Sequence, residues 1–268
     1  MIQQDMNAQV LFISHGGGPL PLLGDASHRA MIEFLQAIPA SLHRPEAILV
    51  ISAHWEESEA TVLGSPKPEM LYDYYGFPPE AYTFSYPASG NPILAHTIIS
   101  LLKKAGIPAR LDAQRGFDHG SFIPLSLMYG DADIPVIQLS LIRGLDAAQH
   151  LALGRALTDL LDQNILVIGS GFSFHNIHAF SFGGRTSQDD KNNAFQDWLI
   201  EVCTREYSQQ EREKQLLLWE QAPFARYCHP REEHLLPLLV CLSLAQRPAK
   251  VVFDDYTLGK RGLAFLWQ

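Results

Sequence analysis

Residues 9–15 read QVLFISH and residues 47–54 read AILVISAH, and each of these runs of apolar, largely β-branched residues ends in a histidine. Short, nearly continuous apolar runs are typical of strands that are covered on both faces. A third run, ILVIGS at 165–170, has the same character and leads on to His175. The predicted strands are residues 9–14, 47–52, 134–140, 164–169 and 250–253.

Longer segments with helical periodicity alternate with these strands. They are predicted at residues 27–36, 92–105, 145–161, 189–207 and 231–245. This alternation predicts an α/β fold with a mostly parallel central sheet flanked by helices. Since no repeat, low-complexity tract or Pro/Ser-rich linker interrupts the chain, we expect residues 1–268 to form a single domain.

The net charge and the apolar stretches of the sequence limit the possible binding partners and the cellular location of the protein. The formal net charge of −9 opposes binding to nucleic acid or anionic lipid, because both are polyanions. The longest apolar stretch, residues 235–245, is too short to span a bilayer. Residues 1–6 lack the basic start and apolar run of a secretory signal, so we expect a cytoplasmic protein with no membrane or nucleic-acid partner.

The histidines are placed in a way that predicts a metal site. His15 and His54 end the first two strands, and His175 follows the fourth. The carboxyl ends of parallel strands lie on one edge of a sheet, where ligands bind, so these side chains can converge. A lone histidine at a strand end is usually structural. Three of them, joined by His119 and by His234 at a predicted helix start, instead suggest a centre for Fe(II), Zn, Cu or Ni.

Residues 15–18, HGGG, have an alternative interpretation, because the oxyanion-hole loop of lipases and esterases has the same sequence. That reading requires a G-x-S-x-G nucleophile motif, which the sequence does not contain. Two other functions stay open. A zinc hydrolase could use the same histidines to lower the pKa of a bound water molecule, and a non-catalytic protein could bind a metal or a peptide on the same scaffold.

Several short motifs occur in a fixed order along most of the chain. Together they resemble the class III extradiol ring-cleaving dioxygenases and are most similar to the 4,5-DOPA extradiol dioxygenase branch. The motifs are SHG at 14–16, SAHW at 52–55, DYYGFP at 73–78, GFDHG at 116–120, DADIPV at 131–136, GSG at 169–171, HN at 175–176, and HP at 229–230 with His234.

The resemblance implies roles for the histidines. His15, His54 and His234 would bind Fe(II) in catalysis, or Zn(II) in the protein as isolated. His175 would be an acid/base, and it is also counted as a fourth metal ligand. His119 would donate a hydrogen bond to the substrate or to dioxygen. The expected reaction inserts both atoms of O₂ into a catechol, a small aromatic diol, and cleaves the ring beside the diol.

The remaining motif residues predict parts of the substrate pocket. An ordered aromatic loop at residues 71–87, with Tyr75 and Phe77, is expected to cover the flat substrate. His229 and Arg231 are candidates to pair with an anionic ring substituent. Many family members read HGSP where this chain reads HGGGP at 15–19, which alters the pocket wall. The sequence leaves open the catechol used, the regiochemistry of cleavage, the metal and whether a homodimer forms.

Overall fold

The computed structural model describes residues 8–182 and 188–268, which form an eight-stranded sheet with helices around it. The strands are β1 (Gln9–Ser14), β2 (Ala47–Glu57), β3 (Ala60–Leu63), β4 (Ala109–Asp112), β5 (Val136–Ile142), β6 (Ile165–Gly171), β7 (Lys250–Thr257) and β8 (Lys260–Trp267). Their order is β4-β3-β5-β2-β6-β1-β8-β7. The central strands β5, β2, β6 and β1 pair in parallel, which confirms the predicted α/β architecture.

The helices pack on this sheet. They are α1 (Arg29–Ala37), α2 (Pro92–Lys104), α3 (His119–Met128), α4 (Ala147–Ala156), α5 (Asp190–Thr204), α6 (Gln209–Leu217), α7 (Ala225–Cys228) and α8 (Leu236–Ala245). Helix α8 is entirely buried, since it packs on β1, β2 and β6 and is itself contacted by α4 and α6. Nine of its ten residues are apolar and the tenth is Ser243, as expected of a helix inside the core.

Local sequence explains where several helices begin. The Asn91 side chain accepts a hydrogen bond from the backbone N–H of Leu94 and caps α2, and Asp146 caps α4 in the same way. Helix α8 begins at Leu236 and not at residue 231, where the sequence pattern had placed its start. Pro237 lies in its first turn, where the missing N–H is tolerated.

Some elements were missed by the sequence pattern. Strands β3 and β4 have only four residues each, and β4 reads ARLD, so neither shows a clear apolar period. Strand β8 pairs antiparallel with β7 and β1. Helix α3 was missed because it contains Gly120 and Pro124, residues that disfavour helix in isolation. Tertiary packing overrides that preference, since most of its residues are buried.

The predicted edge of the sheet, at the carboxyl ends of the parallel strands, is present, but the end of β2 differs from the prediction. Strand β2 does not end at Ser52, as predicted, but continues to Glu57 after a register shift between Ile51 and Glu56. His54 therefore lies within β2, in the irregular part of the strand. Residues 1–6, predicted to lack a secretory signal, lie outside the described residues. Among the helices that are described, none has the length and apolar character needed to cross a membrane.

Candidate metal centre

Three histidines from distant parts of the chain form a nearly equilateral triangle of rings, which we call the inner triad. The ring centroids are 4.7 Å apart for His15 and His54, 5.1 Å for His15 and His234, and 5.0 Å for His54 and His234. His15 follows β1, His54 lies in β2, and His234 lies just before α8. The sheet thus brings together the three side chains that the resemblance implied as metal ligands.

Two further histidines, the outer pair, each lie against one ring of the inner triad. The ring of His119 is 3.8 Å from that of His54, centroid to centroid, and the ring of His175 is 3.4 Å from that of His234. His119 is the first residue of α3, and His175 follows β6. All five imidazoles line one pocket.

The hydrogen bonds of His15 decide which of its ring nitrogens is free. The Ser170 hydroxyl donates to the carbonyl oxygen of Gly120. Its oxygen is thus left to accept from Nδ1–H of His15, 3.0 Å away. Nε2 of His15 therefore carries a lone pair, and it lies 2.9 Å from Nε2 of His54. Two imidazole nitrogens at this distance repel each other unless a proton or a cation is shared between them.

Burial keeps the inner triad neutral. Desolvation, reinforced by the neighbouring imidazoles, holds the pKa of His15 and of His54 well below the usual value of 6.5. The same burial lowers the pKa of His234 to about 3, with His175 as the next cause. Neutral imidazole is the form that binds Fe(II) or zinc. The donor set therefore fits a metal ion shared by the inner triad.

Glu233 orients two of the five rings. Its Oε1 accepts from Nδ1–H of His234 at 2.9 Å and lies 3.1 Å from Nδ1 of His175. Burial opposes ionisation of Glu233, but the hydrogen bonds from both rings outweigh it and hold the pKa of this carboxyl well below its usual range. Glu233 does not line the pocket, whereas His234 does. Of these adjacent residues, His234 is therefore the one that faces the pocket, and Glu233 lies behind it.

Asp73 plays the corresponding role for the other outer histidine. Its Oδ1 accepts from both the backbone N–H of His119, at 2.9 Å, and the ring Nδ1–H, at 2.8 Å. The second oxygen of Asp73 lies 3.7 Å from Nδ1 of His54. Carboxylates that hold Nδ1 in this way fix the tautomer and leave Nε2 to face a metal or substrate.

Ligand atoms in the described residues fall into two tight groups. One is His15, His54 and His119, and the other is His175, Glu233 and His234. Within each group, all ligand atoms lie within 4.8 Å of one another. Of the four predicted ligands, His15 and His54 thus belong to the first group and His175 and His234 to the second. His119, which was predicted to contact substrate or dioxygen and not the metal, belongs to the first group.

A buried carboxylate connects β2 to the start of α3. Asp118 is completely buried and lies directly before His119. It accepts hydrogen bonds from the side chains of Ser52, Arg115 and Gln138 at 2.8, 3.0 and 2.9 Å. Arg115 also donates to the backbone carbonyl oxygen of His54, at 3.2 Å. This network holds the backbone of two site histidines in fixed relation.

The end of β6 passes very close to the segment that carries His234. The backbone N–H of Phe172 donates to the carbonyl oxygen of His234 at 2.9 Å. A Cβ atom at Gly171 would lie only 2.1 Å from the same oxygen. Only glycine allows this approach. Nearby, the backbone N–H of His175 donates to the carbonyl oxygen of Cys228, which fixes its position relative to the same segment.

Sequence reasoning found the histidines but assigned no role to the residues that orient them. These are Asp73, Asp118, Ser170 and Glu233, together with His28, whose Nε2 accepts from the backbone N–H of Gly17 at 3.0 Å. Asp73 and Asp118 stand in the DYYGFP and GFDHG motifs, so the signal was present in the sequence. Their partners are distant along the chain, and only the fold reveals them.

Three of the predicted substrate contacts are not brought to the pocket. The His229 ring is completely buried, where its Nε2 lies 2.9 Å from the carbonyl oxygen of Ser173, and burial lowers its pKa to about 3. Arg231 pairs with Glu56 at 2.7 Å instead of facing the pocket. Tyr75 is 91% exposed and does not line it. The prediction of an anion-pairing site at His229 and Arg231 is therefore corrected.

The aromatic loop itself is ordered, as predicted. Tyr72 donates to the carbonyl oxygen of Phe84 at 2.7 Å, and Tyr74 donates to that of Ala81 at 2.5 Å. Phe77 lines the pocket, in agreement with its predicted position, and packs against Tyr74 with ring centroids 5.6 Å apart. The pocket has a volume of ≈ 420 Å³, a size suited to one small aromatic molecule.

Comparison with known proteins agrees with this geometry. The chain is 38% identical to the protein named dioxygenase tasH from Hapsidospora irregularis, over 97% of this chain and 85% of that one. It is 37% identical to the 4,5-DOPA dioxygenase extradiol of Beta vulgaris, over 93% and 91% of the two chains. The crystal structure of an uncharacterized protein from Escherichia coli K12 superposes with a TM-score of 0.78 at 31% identity, covering 97% of this chain and 99% of that one.

A family model also matches the chain. The model described as the catalytic LigB subunit of aromatic ring-opening dioxygenase matches residues 10–265, nearly the whole of this chain. The matched span includes all five histidines of the pocket. The order of motifs seen in the sequence is thereby explained: this chain belongs to the LigB family of class III extradiol dioxygenases.

Proposed function

We propose that this protein is a non-haem, metal-dependent extradiol dioxygenase that inserts both atoms of O₂ into a catechol-type aromatic and opens the ring beside the diol. The observation that carries the proposal is the inner triad, three neutral imidazoles at the end of a pocket of aromatic size. Three protein ligands with open positions are the arrangement that catalysis requires.

His15, His54 and His234 would hold the metal, with Fe(II) as the catalytic ion and Zn(II) as an alternative occupant in isolated protein. When bound, Fe(II) would supply Lewis acidity toward the diol and the electron transfer that O₂ needs to react with a closed-shell aromatic. Ser170 and Glu233 keep the Nδ1 atoms of His15 and His234 engaged, so that Nε2 of each ring remains free as a donor.

The outer pair provides one group that can transfer a proton, His175, and one that can form a hydrogen bond, His119. Nδ1–H of His175 is held by Glu233, so its Nε2 is free to take a proton from one hydroxyl of the diol as the substrate binds. The same nitrogen can return that proton later in the reaction. His119, held by Asp73 next to His54, lies on the other side of the triad and can form a hydrogen bond to the substrate or to dioxygen.

The remaining lining residues bind the ring and exclude water. Phe77, from the aromatic loop, and Phe172, at the end of β6, lie on the pocket wall. Their faces suit a flat aromatic substrate. The proposed partners are a small aromatic diol and O₂, without nucleic acid or membrane, and the proposed location is the cytoplasm.

The test uses protein prepared without oxygen and loaded with Fe(II). A small panel of catechols is added with air-saturated buffer, while O₂ uptake and the yellow absorbance of a ring-opened semialdehyde are followed. We expect O₂ consumption and yellow product in equal amounts, and neither of them with His15→Gln protein. Hydrolysis of an ester panel in anaerobic buffer by the Zn(II) form would instead indicate a hydrolase. Tight metal binding without any turnover would indicate a non-catalytic binding protein.

A further inference from the structure

The polar and apolar parts of the pocket are strictly separated. The five histidines lie at one end, and the rest of the lining consists of glycines and apolar side chains. The apolar wall includes Phe77, Phe172, Ile177, Phe180, Phe182 and Leu258. The diol of a bound catechol has polar partners only at the histidine end, so whatever else the substrate carries must extend along the apolar wall.

Within the described part of the chain, the pocket lining offers no ion-pair partner for a charged substituent. Among residues 8–182 and 188–268, no lysine, arginine, aspartate or glutamate lines it. Two arginines in the described segments lie beside residues of the site, and both are paired: Arg231 with Glu56 at 2.7 Å, and Arg115 with Asp118 at 3.0 Å. A carboxylate or ammonium group on the substrate would lose its hydration here without gaining an ion pair, which opposes binding.

The apolar wall continues from the site to the pocket rim. The ring of Phe180 lies 6.2 Å from that of His175 and 6.4 Å from that of Phe182, centroid to centroid. At the rim, Ile177 and Phe182 are 60% and 58% exposed, although both line the pocket. Large apolar side chains that remain exposed beside a pocket are typical of a surface that a ligand covers.

From this arrangement we infer that the substrate is a catechol with an uncharged, apolar alkyl or aryl substituent, which lies along Phe180 and is covered at the rim by Ile177 and Phe182. This inference rests on the proposed ring-opening function for the identity of the diol. It differs from an amino-acid catechol, whose ammonium and carboxylate groups would both lie against the apolar wall.

Binding measured without oxygen tests the inference separately from turnover. The Fe(II)-loaded protein is titrated anaerobically with catechol, 4-butylcatechol, 3,4-dihydroxyphenylacetate and 3,4-dihydroxyphenylalanine, and the dissociation constants are obtained by calorimetry. Each buried methylene strengthens binding by about fourfold. We therefore expect 4-butylcatechol to bind at least about tenfold tighter than catechol, and both charged diols to bind more weakly than catechol.

Variants at the rim locate the substituent. Ile177→Ser and Phe182→Ser should each weaken binding of 4-butylcatechol by about three- to tenfold, because apolar contact is lost. Binding of unsubstituted catechol should weaken by less, so the ratio of the two dissociation constants should move toward one. Ile93→Ser is the matched control, since Ile93 is 83% exposed on α2 and does not line the pocket. Ile177→Arg should reverse the preference toward 3,4-dihydroxyphenylacetate by supplying the missing cation.

The outcomes separate this inference from the proposed function. Binding of the charged diols that is equal to or tighter than that of catechol overturns the inference. Ring opening could still occur, so the proposed function would survive. Conversely, the expected binding order without any O₂ uptake would support the apolar pocket and contradict the dioxygenase reaction.

Discussion

The imidazole rings of His175 and His234 are stacked, with centroids 3.4 Å apart and planes inclined by only 18°. Both rings point Nδ1 at the same oxygen of Glu233. A single carboxylate thus orients a proposed metal ligand and the proposed acid/base together. In the proposed reaction, metal binding and proton transfer would therefore be coupled through Glu233, which does not itself line the pocket.

Replacement of Glu233 should weaken metal binding without unfolding the protein. In Glu233→Gln the side chain keeps its shape but loses the negative charge that holds both Nδ1–H groups. Changes of this kind behind a ligand typically lower metal affinity by about 10- to 100-fold. Metal titration monitored by competition with a chelator measures the effect. Glu201→Gln, which removes a surface carboxylate of α5 that is paired with Arg205, serves as the control and should leave the affinity unchanged.

His175 and His15 should differ in what their loss removes. His175→Gln is expected to retain most of the metal and to abolish ring opening, because the proton acceptor is lost while the inner triad remains. His15→Gln should lose metal and activity together. Metal content by mass spectrometry, compared with O₂ uptake, separates the two cases. If His175→Gln loses metal in proportion to activity, His175 is a ligand and its acid/base role is unsupported.

Asp73 should influence turnover through His119. Asp73→Asn keeps one oxygen as an acceptor but removes the charge that holds Nδ1–H of His119 and faces His54. We expect kcat to fall by about 10- to 100-fold, with metal content largely retained, by analogy with other residues that orient imidazoles. Unchanged kcat in air-saturated buffer would show that the orientation of His119 has no role in the reaction.

Metal-free protein should lose stability on acidification between pH 7 and pH 5. Burial lowers the pKa of His15 and His54, and lowers those of His229 and His234 to about 3, so these rings stay neutral in the folded state. In the unfolded chain the same rings take up protons below about pH 6.5. Stability is thus fully present above pH 6.5 and declines as pH falls, by up to about 1.4 kcal/mol per pH unit for each ring.

Thermal unfolding at several pH values, with and without metal, measures this effect. The pKa values of Asp73 and Glu233 are lowered in the folded protein, so their contribution is lost only below the usual carboxyl range and does not interfere between pH 5 and pH 7. A melting temperature that is constant from pH 7 to pH 5 in the metal-free protein would contradict the neutral, buried state of the imidazoles.

The buried Asp118 network should be important for stability. Asp118→Ala leaves Arg115 and Gln138 without their acceptor, and removing one partner of a buried ion pair typically costs about 3–5 kcal/mol. Arg115 is partly accessible, so we expect the lower end of this range. Asp133→Ala is the control, because Asp133 pairs with exposed Arg44 and such surface pairs contribute about 1 kcal/mol or less. Urea unfolding gives both values, and equal losses would contradict the prediction.

Hydrophobic patterns in the sequence predicted most of the central strands of the fold. The apolar runs at β1, β2, β5 and β6 are long and nearly continuous, so their strand character and parallel arrangement were recognisable from the sequence. Short β3 and β4 gave no such signal, and the glycine and proline of α3 concealed a helix that is stabilised by burial. For β3, β4 and α3, packing against the rest of the protein therefore supplies the stability that the local sequence does not indicate.

The sequence by itself determined that His15 and His54 lie at one edge of the sheet, because residues near the carboxyl ends of parallel strands lie together. His234, which precedes a helix, was added to the triad by the family resemblance. The tertiary structure alone decided which carboxylate holds each ring, that His229 is buried away from the pocket, and that the wall beyond the histidines is apolar. Those properties depend on contacts between segments far apart in the chain, such as Asp73 with His119 and Gly171 with His234. No local pattern encodes them.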